Sequence, residues 1–249
     1  GLSLYVVEDH SLPLVTVEMA VRAGAWVESP DYDGLSHVYE HMFFKGNAAL
    51  PDQEAYLERV RDLGIVFNGT TGTEHVNYYF TMTSERWRDG LVFMRDAMLT
   101  PLFDTAELER ERQVVLDELS RNESNPYFHL NRATEDLLWY AYPSRKNVIG
   151  SREVIATVTR DKMLSMQSRF YVPNNAVLIV SGDVDAATVL TEATELFGDW
   201  AKAADPFEVE PLVVHPALSE NQVTLVEQPI GRVVVTMQWH GPDVARDPA

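Results

Sequence analysis

Between residues 15 and 22, Val15, Val17, Met19 and Val21 alternate with Thr16, Glu18, Ala20 and Arg22, the two-residue period of a strand with one buried face. Another strand is predicted just before it, at residues 4–8, linked by a turn around Asp9, Ser11 and Pro13. The same alternation puts Val76, Tyr78, Phe80 and Met82 on one side of a strand, and the apolar run at 176–181 predicts a further one. Elsewhere the period is helical. Trp87, Leu91, Met94 and Met98 form the stripe of a helix that Ser84 can cap and that ends before Pro101. A helix near residues 35–44 follows the loop Ser29-Pro30-Asp31-Tyr32-Asp33-Gly34. The next follows Pro51, lines up Tyr56, Val60 and Leu63, and stops at Gly64. A long helix is predicted from Asp104 to about Glu123, then others near 130–140, 161–171 and 186–197.

Residues 201–219 hold three prolines and little periodicity, which marks a linker. Beyond it, residues 223–226 and 233–239 read as two new strands, followed by Gly241-Pro242-Asp243. Two strands cannot bury a core. The expected organisation is a first domain over 1–200, a linker over 201–221, and the opening strands of a truncated second domain over 222–249. Helices interspersed with mostly hairpin-connected strands indicate the α+β class, a mostly antiparallel sheet packed with helices.

Charge and composition narrow the functions available. With 38 acidic against 20 basic residues and a formal net charge of -18, nothing here would replace the counterions on phosphates, which excludes a nucleic-acid partner. Anionic lipid is disfavoured for the same reason. The longest apolar run, residues 176–180, is far short of a membrane span. The 249 residues contain no cysteine, so disulfides, a thiol nucleophile, iron–sulfur clusters and Cys-type zinc sites are all excluded.

Candidate chemistry starts at Gly34-Leu35-Ser36-His37-Val38-Tyr39-Glu40-His41, which contains H-x-x-E-H. On a helix, His37 and His41 lie one turn apart on one face, so both imidazoles can bind one metal, with Glu40 near enough to reach a water on it. The bland alternative is two half-exposed histidines on an amphipathic helix. A catalytic zinc site needs a third protein ligand. In the long helix Glu111 and Glu118 are seven residues apart, within about 20° on the helical wheel, and Leu108, Val114 and Val115 surround them. Carboxylates on an apolar stripe must be paired, protonated or bound to metal. Pairing with arginines of a neighbouring helix is the competing reading.

Taken together, these residues resemble the pitrilysin-type (inverzincin, M16) metallopeptidases. The likeness continues through His41-Met42-Phe43-Phe44-Lys45-Gly46, Asn68-Gly69-Thr70-Thr71, Pro101-Leu102-Phe103, Pro173-Asn174-Asn175-Ala176 and Gly182-Asp183-Val184. It implies the α+β fold of the mitochondrial processing peptidase-like metallohydrolases. It implies His37, His41 and Glu118 as ligands of one zinc ion per chain, Glu40 as the general base and Glu111 as a carboxylate that orients a ligand. It further implies Asn68 and the backbone at Gly69 as the edge that holds a substrate peptide as an added strand. The family usually has Ala where this chain has Gly69. His10, His75, His129, His215 and His240 match no ligand position.

The function implied is zinc-dependent hydrolysis of peptides or small unfolded polypeptides, in this chain or together with a second M16-type domain or partner subunit that supplies a substrate-gripping Arg and Tyr. Residues 1–249 alone are expected to hydrolyse poorly, and exposed edges to favour self-association into a homodimer. The resemblance points to the bacterial periplasm or another exported location, with the cytoplasm left open because a chain without cysteine suits both. Two other readings compete. A silent scaffold or partner subunit is disfavoured by the intact motif. A lyase of the S-ribosylhomocysteine type shares H-x-x-E-H but takes a cysteine ligand, which this chain cannot supply.

Overall fold

The computed structural model describes residues 1–241. Its centre is one five-stranded sheet built from β1 (Ser3–Glu8), β2 (Leu14–Val21), β3 (Val66–Thr71), β4 (Val76–Thr83) and β5 (Ala176–Gly182), in the order β1-β5-β2-β4-β3. Only β1 and β5 run parallel. The α+β expectation is met, with a mostly antiparallel sheet.

The turn predicted between the first two strands forms, but it does not make them neighbours. The turn after Asp9 closes no hairpin, because β5 enters between β1 and β2 and pairs with both. The β5 run Ala-Val-Leu-Ile-Val is apolar at every position, as suits a strand with both faces covered.

One face of the sheet carries the core. The register aligns Val17 with Phe80 and Val180, and Met19 with Tyr78 and Leu178, and all six side chains are buried. Against this face pack α1 (Leu35–Phe43) and α3 (Trp87–Leu99). Phe43 stacks on Tyr78 with ring centroids 3.8 Å apart, and Phe93 on Phe80 at 4.9 Å. The predicted stripe on α3 is sound, since Leu91, Met94 and Met98 are all buried. Gly90 lets this helix settle onto β4: a Cβ there would lie 2.1 Å from the Met82 sulfur.

The remaining helices are α2 (Gln53–Leu63), α4 (Thr105–Glu123), α5 (Pro126–Leu138), α6 (Arg152–Ala156), α7 (Arg160–Phe170), α8 (Ala186–Phe197) and the short α9 (Pro206–Val209). Asp52 and Asp104 cap α2 and α4 by accepting from backbone N–H groups, and Gly64 ends α2 in the left-handed conformation. Asn125 and Pro126 start α5 four residues earlier than the apolar pattern indicated.

Past α9 no strand forms among the described residues. At 223–226 and 233–239 the alternating pattern is present, but Val223 and Val233 are 93% and 90% exposed. A strand is defined by its neighbour, and these segments have none here. Residues 242–249, the end of the expected second-domain segment and the rest of its Gly-Pro-Asp turn, lie outside the described residues.

Candidate metal centre

The helix that carries H-x-x-E-H is anchored at its start by a buried acid. Gly34 caps α1 in the left-handed conformation. The Glu28 carboxylate accepts from the N–H groups of Gly34 at 2.8 Å and Ser36 at 2.7 Å, so it satisfies two of the free donors at a positive helix end. Burial nevertheless pushes Glu28 well above the ordinary carboxyl range.

Beside it, burial raises Asp33 from 3.8 to about 6, an effect that Arg132 and Asn147 only partly offset. A carboxyl raised by folding is favoured while protonated. Its contribution is therefore best below about pH 4 and is lost as pH rises through about 6. Asp33→Asn should remove that loss. Urea midpoints of wild type and variant are expected to diverge between roughly pH 4 and 6 in favour of Asn, whereas parallel curves would show that charging Asp33 carries no cost.

One turn apart on α1, the His37 and His41 rings meet edge to face with centroids 4.8 Å apart. α4 crosses this helix and brings Glu118 to them. Its Oε2 lies 3.6 Å from His37 Nε2 and 3.8 Å from His41 Nε2. One donor atom from each of the three residues falls within 4.8 Å of the others, and no second such group occurs among the described residues.

Zinc fits this donor set. Bonds of about 2.0–2.2 Å in a tetrahedron put neighbouring ligand atoms about 3.3–3.6 Å apart, and two imidazoles with one carboxylate leave the fourth position open. Burial, together with the charge of His41, holds His37 below the ordinary imidazole value against the pull of Glu118 and Glu40. The neutral ring is the form that binds a metal.

Glu111, seven residues before Glu118, stands behind His41. Its Oε2 is 3.0 Å from His41 Nδ1, and its Oε1 is 2.7 Å from Lys45 Nζ. Burial alone would raise this carboxyl, but the hydrogen bonds from His41 and Lys45 outweigh it and hold it below the ordinary value. An ionised Glu111 can accept a hydrogen bond from Nδ1–H, the tautomer that leaves the Nε2 lone pair free for a metal. The arginine pairing considered for Glu111 and Glu118 is absent among the described residues; a lysine and two histidines take its place.

Glu40 lies outside this set of mutually close donor atoms. Its Oε2 accepts from the Thr71 hydroxyl at 2.6 Å, at the end of β3. This strand closes the sheet, so its outer edge faces no strand among the described residues. Asn68 sits on that edge with its Oδ1 3.0 Å from the Gly69 N–H. Thr71 and Lys45, the partners of the two outlying glutamates, were not singled out from the sequence. Lys45 carried a signal, since it follows His41 by four residues. Four of the other five histidines have partners of their own: His10 pairs with Asp183, His129 with the Glu123 carbonyl, and His215 and His240 pack on Trp139.

Residues 4–148 match the family model described as insulinase (peptidase family M16). The chain belongs to the M16 peptidase family. A second M16 model, described as the inactive domain, matches residues 157–249; its first part supplies β5 and α8 to the same sheet and core as residues 4–148. Among M16 relatives, a zinc protease of Rickettsia bellii is 27% identical over 197 residues, covering 79% of this chain and 48% of its own length. Insulin-degrading enzyme of Bos taurus is 26% identical over 209 residues, covering 80% of this chain and 20% of its own. The chain thus spans about half the length, or less, of the curated relatives it matches. The crystal structure of the periplasmic protease PqqL from Escherichia coli superposes with a TM-score of 0.73 at 20% identity, covering 92% of this chain and 25% of that one. At that identity the likeness speaks for the fold.

Proposed function

We propose that this chain supplies the zinc-binding and water-activating part of an M16 metallopeptidase that cleaves peptides or small unfolded polypeptides. The observation that carries the reading is the convergence of His37, His41 and Glu118 from two helices, with Glu40 beside them yet engaged by Thr71. His37, His41 and Glu118 would hold one zinc ion per chain. Bound there, zinc would supply Lewis-acid chemistry to the scissile carbonyl and to the attacking water.

The chain's own residues divide the rest of the work. Glu40 takes the proton of the attacking water and passes it to the leaving amine. Glu111, charge-paired with Lys45, keeps His41 in one tautomer and one orientation. Asn68 and the backbone at Gly69 hold the substrate as an added strand on the open edge of β3, in main-chain register and with little demand on its side chains.

The segment from residue 222 onward begins a second M16-type domain, which in the same polypeptide or a partner subunit completes the site. The exposed Val223, Leu225, Val233, Val235, Met237 and Trp239 are the apolar face it would cover, and in its absence they favour pairing of two copies. Export to a periplasm fits the description of the PqqL neighbour as periplasmic. No helix among the described residues is long and apolar enough to cross a membrane.

The test is metal analysis joined to an assay on a mixed quenched-fluorescent peptide library. The 249-residue chain should retain about one zinc and turn over little, because stabilisation of the developing oxyanion is a large share of catalysis. With the second half present, turnover should appear, vanish on chelation and return with zinc. Equal turnover with and without that half would overturn the shared site, and a chain that takes up no zinc would overturn the metal reading.

A further inference from the structure

The carboxylate of Glu40 is held by two features of β3, neither of which belongs to the metal-binding set. Alternation along the strand turns Phe67, Gly69 and Thr71 to the side of α1, where Phe67 packs on Phe44 with ring centroids 4.8 Å apart. From that side the Thr71 hydroxyl donates to Glu40 Oε2 at 2.6 Å. Two positions earlier, Gly69 leaves the space that the Glu40 side chain fills. A Cβ at 69 would lie 2.8 Å from Glu40 Cγ and 3.2 Å from both Cδ and Oε1. Among the described residues Oε1 accepts no protein hydrogen bond.

We propose that Thr71 is the positioning residue of the base, its hydroxyl holding one oxygen of Glu40 in space that Gly69 leaves open and so aiming the other oxygen at the attacking water. The inference rests on the reading of Glu40 as general base. A glutamate on a helix turns about three side-chain bonds, and in solution it spreads over many orientations. A proton acceptor must instead sit within hydrogen-bond reach of the proton it takes. Threonine suits the task because branching at Cβ restricts its own rotamers, so the donor is fixed before the glutamate arrives. Gly69 gives this side chain more room than an alanine would. A methyl group there would press on Cγ, near the root of the glutamate side chain, so either that side chain or the strand would have to shift.

The experiment uses the protein with both halves present, loaded with zinc. Thr71→Val keeps the branched shape and removes the donor. It should lower kcat by about tenfold, leaving KM within about twofold and zinc content unchanged. Thr71→Ser should restore kcat to within about threefold of wild type. Gly69→Ala should move in the same direction as Thr71→Val. A second readout is the affinity of a peptide hydroxamate, which gives up a proton as it binds, measured by calorimetry. It should weaken in Thr71→Val and recover in Thr71→Ser. If Thr71→Val disturbs the sheet by circular dichroism, Thr71→Ala makes the same test.

Two failures are separable. Turnover that survives Glu40→Gln would remove the base itself, and with it anything for Thr71 to position. A dead Glu40→Gln beside a Thr71→Val of wild-type kcat and hydroxamate affinity would overturn the positioning role alone. In the Glu40→Gln background, Thr71→Val should cause no further loss; an independent loss there would assign Thr71 to substrate binding or folding and overturn the proposal.

Discussion

Glu40→Gln is expected to keep its zinc and lose peptide hydrolysis, with kcat in the protein that carries both halves falling by about 10²–10⁴-fold, the usual worth of a positioned proton acceptor. The amide is the same size as the carboxylate and can still meet the Thr71 hydroxyl, so the fold has little to adjust. Glu40 is also outside the set of mutually close donor atoms, which is why metal content should hold. Metal analysis and steady-state kinetics on one preparation check both halves of the statement. Loss of zinc, with activity falling only in proportion, would reassign Glu40 to coordination.

Glu118→Gln should do the opposite and empty the site. The amide oxygen carries no charge, and the imidazoles 3.6 and 3.8 Å away are left as a two-ligand site. Zinc affinity, measured by competition with a chelator, should fall by more than the about 10–100-fold typical of losing an outer hydrogen-bond partner of a ligand. Glu111→Gln provides that comparison within the same helix, because it touches His41 Nδ1 and Lys45 but offers no atom to the metal. Its loss should fall inside the range, and Glu118→Gln beyond it. Equal losses in the two variants would mean that the roles of the two glutamates are not distinct.

Much of this site was legible because its parts are local. His37 and His41 share a helix face by spacing alone, and Glu111 and Glu118 share another. What spacing could not show is that the two faces meet, since the crossing of α1 and α4 depends on the whole core between them. The resemblance supplied that step. The Glu40–Thr71 bond was hidden for a related reason: it joins a helix to an edge strand 31 residues away.

The strand that carries Thr71 was itself poorly marked. Val66-Phe67-Asn68-Gly69-Thr70-Thr71 contains Asn and Gly, which are depleted in strands, and no position in it is fully buried. The turn at Asp9–Pro13 misled in another way. Local signals said that the chain reverses there, which it does, but not which strand lies next to which. The segments at 223–226 and 233–239 show the same limit from the other side. Their alternation is real, but pattern describes a strand's faces and not its neighbours.

The placement of β5 has a consequence for how the protein is made. β1 takes part in the sheet through β5 alone, so this strand, once synthesised, must wait for residues 176–182 before it has a partner. Both helices that carry the proposed metal ligands emerge earlier. A nascent chain therefore displays two histidines on one helix and a carboxylate on a second before the sheet beneath them is complete. Long-range pairing of this kind is slow and leaves apolar strands uncovered meanwhile.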